Sequence, residues 1–405
     1  MSFLFDHPLY KPTPELLLGW SDDQIEPVVE ALRQAATFKN EEIRRSAASI
    51  SRSLFCAHFV SGNGVHYPRG RGAYSVPTRY RSEGKYRTYY YVINAMAGLD
   101  EAGLARLYTG RYGGAGGQGR ESVAVATRKL LDLLDGLVDP GEQRAGLGSV
   151  ETIVLRDSKG LPLDYEDSSA TEEMRAGVRE VNRLLRSQDI RLEGARRRVL
   201  PGRRIFNKSF DRGGRFYFFG ESVQNLSLRE RMNLRWHEGD KVHPVAELDF
   251  SALHITMALT KAGVRVPDRD PYEIEGFDRD DVKLAVNVLF NAANFGSASR
   301  AIAKDLGGRA VGTDLARNLV EAVREAHPDL EPFFGSDSGA RFQRDDSDIA
   351  MEVMLQTYSR TGRCPFPIHD SFLAPVEDLE VLEDVMLLVG ERWGLPFRVK
   401  RASVS

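Results

Sequence analysis

Cysteine is almost missing: Cys56 and Cys364 are the only two in 405 residues. That excludes a disulfide framework and a four-cysteine zinc site, and it makes a reducing cytoplasm the expected compartment. Long apolar runs are missing too. None approaches the ~18–20 residues of a membrane span, so neither a transmembrane helix nor a membrane partner is expected. The opening MSFLFDHPLYKP lacks a basic n-region and a long apolar stretch, so no secretory signal is expected. Lysine is scarce: of 55 basic residues 11 are Lys, leaving 44 Arg. The planar guanidinium suits phosphate, although a GC-rich genome gives the same bias. Neither sign of charge dominates. With 58 acidic residues the net charge is −3, which by itself announces no nucleic-acid binder.

What is present is ordinary for a globular chain: 42% hydrophobic and 28% charged residues, enough for a sizeable core. At about 150 residues per domain, two or three domains are expected. Charge is unevenly spread. Between Arg191 and Arg235 lie Arg196, Arg197, Arg198, Arg203, Arg204, Lys208, Arg212, Arg215, Arg229 and Arg231, while acids gather after Glu377. Such a chain can hold a basic cleft at near-zero net charge.

Residues 1–150 read as mainly helical, from the apolar spacing in ELLLGW, QIEPVVEALRQAA and VAVATRKLLDLLDGLV. Residues 61–92 interleave bases with aromatics (His66, Tyr67, Arg69, Arg71, Tyr74, Arg79, Tyr80, Arg81, Lys85, Tyr86, Arg87, Tyr89), which suits a strand-binding surface and equally a solvated loop. GGAGGQGR (113–120) contains a formal G-x-G-x-x-G, but no strand precedes it and no Lys follows, so it reads as a loop. Residues 151–200 form a connecting subdomain of two short strands and a charged helix around TEEMRAGVREVNRLLRS. From residue 201 to 405 turns, strands and helices alternate.

Four segments of that last part carry chemistry: FDRGGRFY (210–217), VAELDFSALHITMAL (245–259), RDDVKLAVNVLFNAANFG (279–296) and PFPIHDSFLAPV (365–376). In the second, strand alternation runs to Asp249 and helical spacing follows, which places a carboxylate at a strand end facing a crevice. In the fourth, two β-rich runs flank His369–Asp370, a hairpin with its acid at the tip. Two aspartates from separate strands, side by side, can hold two divalent ions for an in-line phosphoryl displacement. Oxygen ligands suit Mg²⁺, which keeps waters and substrate phosphates for the rest of its shell. In the third, Arg279, Lys283, Asn287 and Asn291 recur every fourth residue and form one slanted helical stripe, a candidate triphosphate contact, while Val282, Val286, Leu289 and Phe290 can bury. In the first, Gly213–Gly214 lets backbone approach a ligand closely and offers Arg215 to a nucleic acid. Singly, each has a plain structural reading: a turn-capping Asp, a structural His, a solvated helix face. In this order they are far more specific.

In this order they resemble the superfamily of family A DNA polymerases and phage-type single-subunit RNA polymerases. LDFSALHI looks like motif A, Arg279-x₃-Lys283 like the start of motif B, and PIHDSF like motif C in its phage RNA polymerase form. Asp211 to Arg215 looks like the D/T-x-x-G-R element upstream of motif A, and Asp270-Pro-Tyr272 sits where the family often has an aspartate and an aromatic. The resemblance covers roughly residues 200–400. It implies an α+β fold: a right-hand polymerase-like palm with an antiparallel sheet, small helical fingers, and a mainly helical, thumb-like N-terminal region. It implies a nucleotidyltransferase, with Asp249 and Asp370 as ligands of two Mg²⁺ ions (Mn²⁺ as a substitute) and His369 near the primer end. Lys283 and Arg279 would contact the triphosphate, with Asn287, Asn291 and His254 lining the nucleotide, and Arg215, Gly214, Asp211 and Arg204 would contact nucleic acid.

The departures matter. His254 stands where DNA polymerases have the glutamate that screens the sugar, Asn287 and Asn291 replace an apolar residue and a tyrosine, and Ser371 replaces the motif C glutamate. Motif A Asp to motif B Lys spans 34 residues (283 − 249), and motif B Lys to motif C Asp spans 87 (370 − 283). So stripped a form is similar to family A-like polymerases and primases of phages and mobile elements. A DNA or RNA template–primer and dNTP or NTP substrates are the implied partners, with room for a helicase or small accessory subunit. DNA synthesis is favoured, with self-priming one form of it. RNA polymerase or primase activity stays open, as does a non-catalytic nucleic-acid-binding protein with a polymerase-like palm, or a nucleotide-binding regulator using the glycine loop.

Overall fold

A computed structural model describes residues 20–61, 64–74, 77–80, 88–110, 122–139, 151–192, 195–197, 199, 201–218, 222–307 and 314–402. The glycine-rich loop at 113–120, Arg81, Lys85, Tyr86, Arg87 and Arg198 lie outside the described residues. The chain divides into two compact units, one reaching Glu151 and including Leu161–Asp164, the other formed by Thr152–Gly160 and Tyr165 onward. Among the described residues no helix is long and apolar enough to cross a membrane.

In the first unit, helices α1 (Asp22–Ala35), α2 (Glu41–Ser61), α3 (Tyr89–Glu101) and α4 (Arg128–Leu134) accompany strands β1 (Val65–Tyr67), β2 (Ala105–Tyr108) and β3 (Ser122–Ala126). Ser21 opens α1 with a capping box to Gln24, and Ile25, Val28, Val29 and Leu32 form its buried stripe. The strands form an antiparallel sheet in the order β1-β3-β2. The helical reading of VAVATRKLLDLLDGLV is corrected here: SVAVA is strand β3, and Thr127 starts the helix by accepting a hydrogen bond from Leu130 N.

The second unit begins with β4 (Ile153–Arg156), α5 (Ser169–Arg186), β5 (Asp189–Leu192), β6 (Ala195–Arg197), β7 (Gly202–Asn207) and β8 (Ser209–Phe218). It continues with α6 (Leu228–Met232), β9 (Leu234–Glu238), β10 (Lys241–Phe250), α7 (Leu253–Lys261), α8 (Arg279–Asn291), α9 (Phe295–Leu306) and α10 (Asp314–Ala326). The long α11 (Gly339–Thr361), β11 (Phe366–Ile368), β12 (Ser371–Pro375), α12 (Leu379–Arg392) and β13 (Val399–Arg401) complete it. The architecture is α+β. One sheet runs β11-β12-β10-β9-β5-β6 with β13 also on β10, and a smaller sheet runs β4-β7-β8. Among the described residues only β4 and β7 pair in parallel. The strands of residues 151–200 thus pair into sheets built from residues 202–401.

β10 organises the unit. Its first four residues pair with β9, Val245–Asp249 pair with β12, and Leu248–Phe250 pair with β13. Paired on both edges in its second half, it buries Val245, Ala246, Leu248 and Phe250 there. Phe250 packs on Phe397 and Phe372, with ring centroids 4.6 and 6.2 Å apart. α8 buries Val282, Val286, Leu289 and Phe290, as its periodicity predicts, and Phe290 stacks on Phe342 of α11.

Candidate active site

β11 and β12 form a hairpin whose connection is His369–Asp370, with His369 in the left-handed region at φ 61°. Asp249 lies opposite Ser371 in the β10–β12 ladder, which puts Asp370 beside the end of β10. There Phe250 N donates to Asp370 O at 3.5 Å. The carboxylate expected at a strand end and the one expected at a hairpin tip therefore meet. Burial, then the charge of Asp370, push the Asp249 carboxyl up to about 6, against the pull of Lys400 and Lys283. Lys400 Nζ, on β13 directly across from Asp249, lies 3.3 Å from its Oδ2.

His369 stacks edge-on against Tyr217, with ring centroids 5.9 Å apart. Burial, then the nearby Arg215, hold its imidazole below its ordinary pKa, so it is neutral near pH 7. Behind the hairpin, Ser371 Oγ donates to Glu247 Oε1 at 2.5 Å, and Arg231 Nε donates to Glu247 Oε2 at 2.7 Å. Glu247 is 5% exposed, so this buried pair fixes β12 against β10 next to the two aspartates.

On α8, Lys283 is exposed and close enough to bias Asp249 electrostatically. Arg279 is engaged elsewhere: its Nε donates to Asp270 Oδ2 at 2.7 Å and its guanidinium lies 5.5 Å from the Tyr272 ring centroid. Tyr272 is buried, and burial followed by the charge of Asp270 raises its phenol well above the usual range. Further along the stripe, Asn291 Nδ2 donates to Asn287 O at 2.8 Å, and an added Cβ at Gly339 would collide with the Asn291 side chain. The stripe thus runs from the aspartates to the start of α11.

Arg215 is held from behind. Its Nε and Nη2 donate to Asp346 Oδ2 at 2.9 and 2.5 Å, and His254 Nε2 sits 3.1 Å from the same oxygen and 3.3 Å from Arg215 Nη2. Asp346 is almost fully buried on α11. His254, expected to line a nucleotide, is bound into this network.

Three residues expected at nucleic acid are engaged with the chain itself. Arg204 is 3% exposed and donates to Gly214 O (2.7 Å), Asp348 Oδ1 (2.7 Å) and Ser347 Oγ, so it ties the β7–β8 sheet to α11. The reason is alternation along β7, where Arg204 shares the inner face with Phe206. Gly213 and Gly214 adopt φ of 77° and 85° at a register shift between β7 and β8. What approaches them closely is the chain itself: a Cβ on Gly214 would meet Phe206, Ser347 and Arg204. Asp211 is exposed, accepts a hydrogen bond from Ser209 Oγ and lies 3.9 Å from Arg341.

Reasoning from sequence missed Lys400, Glu247, Arg231 and Asp346. Only Glu247, an acid between Ala246 and Leu248 two residues before Asp249, carried a local signal.

No protein-family model and no curated protein matches this chain. Among solved structures, the chain is similar to the POL domain of Pol1 from M. smegmatis, in complex with DNA primer-template and dNTP. The match has a TM-score of 0.32 and 13% identity, over 57% of this chain and 51% of that one. The chain therefore spans about half of that domain's length.

Proposed function

We propose that the second unit catalyses template-directed nucleotidyl transfer, with DNA synthesis the favoured form. The observation that carries this reading is the proximity of Asp249, at the end of β10, to Asp370, in the turn just before β12: close enough that the charge of Asp370 raises the pKa of Asp249. Oxygen donors held against their own repulsion fit a hard divalent cation. Among the described residues no group of three His, Cys, Asp or Glu side chains gathers, so most of a Mg²⁺ shell would fall to water and phosphate oxygens. Asp249 and Asp370 would hold the ions, whose chemistry is to neutralise charge on attacking and leaving oxygens. Lys283 offers its ammonium to the triphosphate, and Arg279 joins it by exchanging Asp270 for phosphate. Asn287 and Asn291 continue that nucleotide-facing stripe. Neutral His369 sits beside the growing 3′ end, and Asp346 positions Arg215 toward the template–primer. The chain's own contribution is placement and charge complementarity.

Primer extension with Mg²⁺ tests this. Asp249→Asn and Asp370→Asn are each expected to lower extension about a hundredfold or more, and undiminished extension by either overturns the reading. Parallel arms with dNTPs or NTPs, with and without primer, separate DNA polymerase, RNA polymerase and primase. One observation favours a binding-only palm: Lys400 neutralises Asp249 without a metal. That reading expects no extension under any condition and strand binding indifferent to both aspartates.

A further inference from the structure

The sheet β4-β7-β8 has two chemically different faces. Ile153, Leu155 and Phe206 pack into an apolar cluster with Tyr165, Met174 and Phe210. By strand alternation and register, the opposite face collects Arg156, Arg203, Asn207, Arg215 and Tyr217. Arg203 lies across from Tyr217, and Arg156 lies beside Asn207 in the parallel pair. With Gln343 from α11 these residues line a cavity of about 400 Å³. No acidic side chain is among its lining residues, and the Arg156 Nε is buried with no hydrogen-bond partner.

Arg215 already pairs with Asp346, so Arg156 and Arg203 are the guanidiniums that bring further positive charge to the cavity lining, Arg156 with its Nε unpartnered. They match a group bearing two or more charges, which planar guanidiniums bind in bidentate fashion. The volume lies in the range of small-ligand pockets. Tyr217 offers a ring for stacking, and the Asn207 and Gln343 amides offer both donors and acceptors. Tyr217 touches His369, so the cavity opens beside the hairpin that carries Asp370.

We propose that this cavity is a second phosphate site, separate from the one assigned to Lys283, and that it takes the terminal phosphates of a nucleotide. The source is either a free nucleoside triphosphate or the 5′-phosphorylated end of a strand. The proposal rests on the polymerase reading for its ligand class but not on metal-dependent catalysis. Arg156, Arg203 and Gln343 become ligand contacts outside the nucleotidyl-transfer machinery.

The test is calorimetric titration of the full chain at low salt without Mg²⁺, with inorganic tripolyphosphate as probe. In Lys283→Ala, binding at one site per chain is expected to persist. Adding Arg156→Gln or the isosteric Gln343→Glu should weaken it about tenfold or more, since each removes or opposes a charged contact. Thermal melting checks that each variant is folded, and the partly exposed Gln343 serves if Arg156→Gln is not. Loss of all tripolyphosphate binding in Lys283→Ala, or unchanged binding in both pocket variants, overturns the proposal. A 5′-phosphorylated hexanucleotide binding more tightly than its 5′-hydroxyl twin assigns the strand end; equal binding of the two assigns the free triphosphate. Asp249→Asn separates the two readings, because it stops extension and leaves this cavity's phosphate binding intact.

Discussion

Replacing Arg204 by Met distinguishes a residue that holds the fold from one that holds a strand. Its guanidinium makes three charge-assisted hydrogen bonds, to Gly214 O, Ser347 Oγ and Asp348 Oδ1. Bonds to charged groups contribute about 1.5–3 kcal/mol each, so roughly 5 kcal/mol is lost with them. Against that stands the cost of burying the charge, which lowers the Arg204 pKa to about 10 and disfavours the ion by about 3 kcal/mol. Asp348 is not stranded, because Arg344 remains its partner. The net expectation is a loss of about 2 kcal/mol, read as a lower urea midpoint at unchanged slope. Binding of a labelled primer–template, measured against salt, should keep its slope, because no phosphate contact disappears. A variant of unaltered stability whose salt slope falls by about one would refute the reasoning and return Arg204 to the nucleic-acid interface.

Four other outcomes follow from the same geometry. The Asp249 carboxyl has a raised pKa, so its ionised form works against the fold: without divalent ions, stability should fall as pH rises from about 4 to above about 6, and Asp249→Asn should flatten that fall in thermal melts. Added Mg²⁺, competing with the proton, should raise the melting temperature more at pH 7.5 than at pH 5.5. Lys400→Met removes a cation that lowers the Asp249 pKa, so the acid limb of the extension–pH profile should move upward; an unmoved limb would mean that Lys400 is not electrostatically coupled to the reaction. Gly214→Ala places a Cβ at φ 85° against Phe206 and should cost about 1–3 kcal/mol in denaturant titration, with a null result contradicting the tight bulge.

The parts of the site legible in the sequence are those written in local pattern. A two-residue interruption between β-rich runs put Asp370 at a hairpin tip, and a switch from period two to helical spacing put Asp249 at a strand end. The α8 stripe was equally local, and its apolar positions are the buried ones. What was hidden depends on distant pairing. Lys400 meets Asp249 only because β13 joins β10, and nothing in VKR announces that register. Arg204 is the instructive case. Its parity with Phe206 rather than Ile205 already marked it as inward-facing, but a dense run of arginines reads as one patch unless the strand is recognised first. At β3, Thr127 was the overlooked boundary between an alternating strand and the helix it caps.

α11 carries a consequence of its own. Within six residues it supplies Gln343 to the basic cavity, Asp346 to Arg215 and His254, and Ser347 and Asp348 to Arg204. A slide of this helix along its axis would shift all of them together, since the four residues ride on one helix. The arginine side of the site is therefore built to exist in whole arrangements rather than graded ones. A spectroscopic probe on α11 should report the state of Arg215 and of the cavity as a single transition.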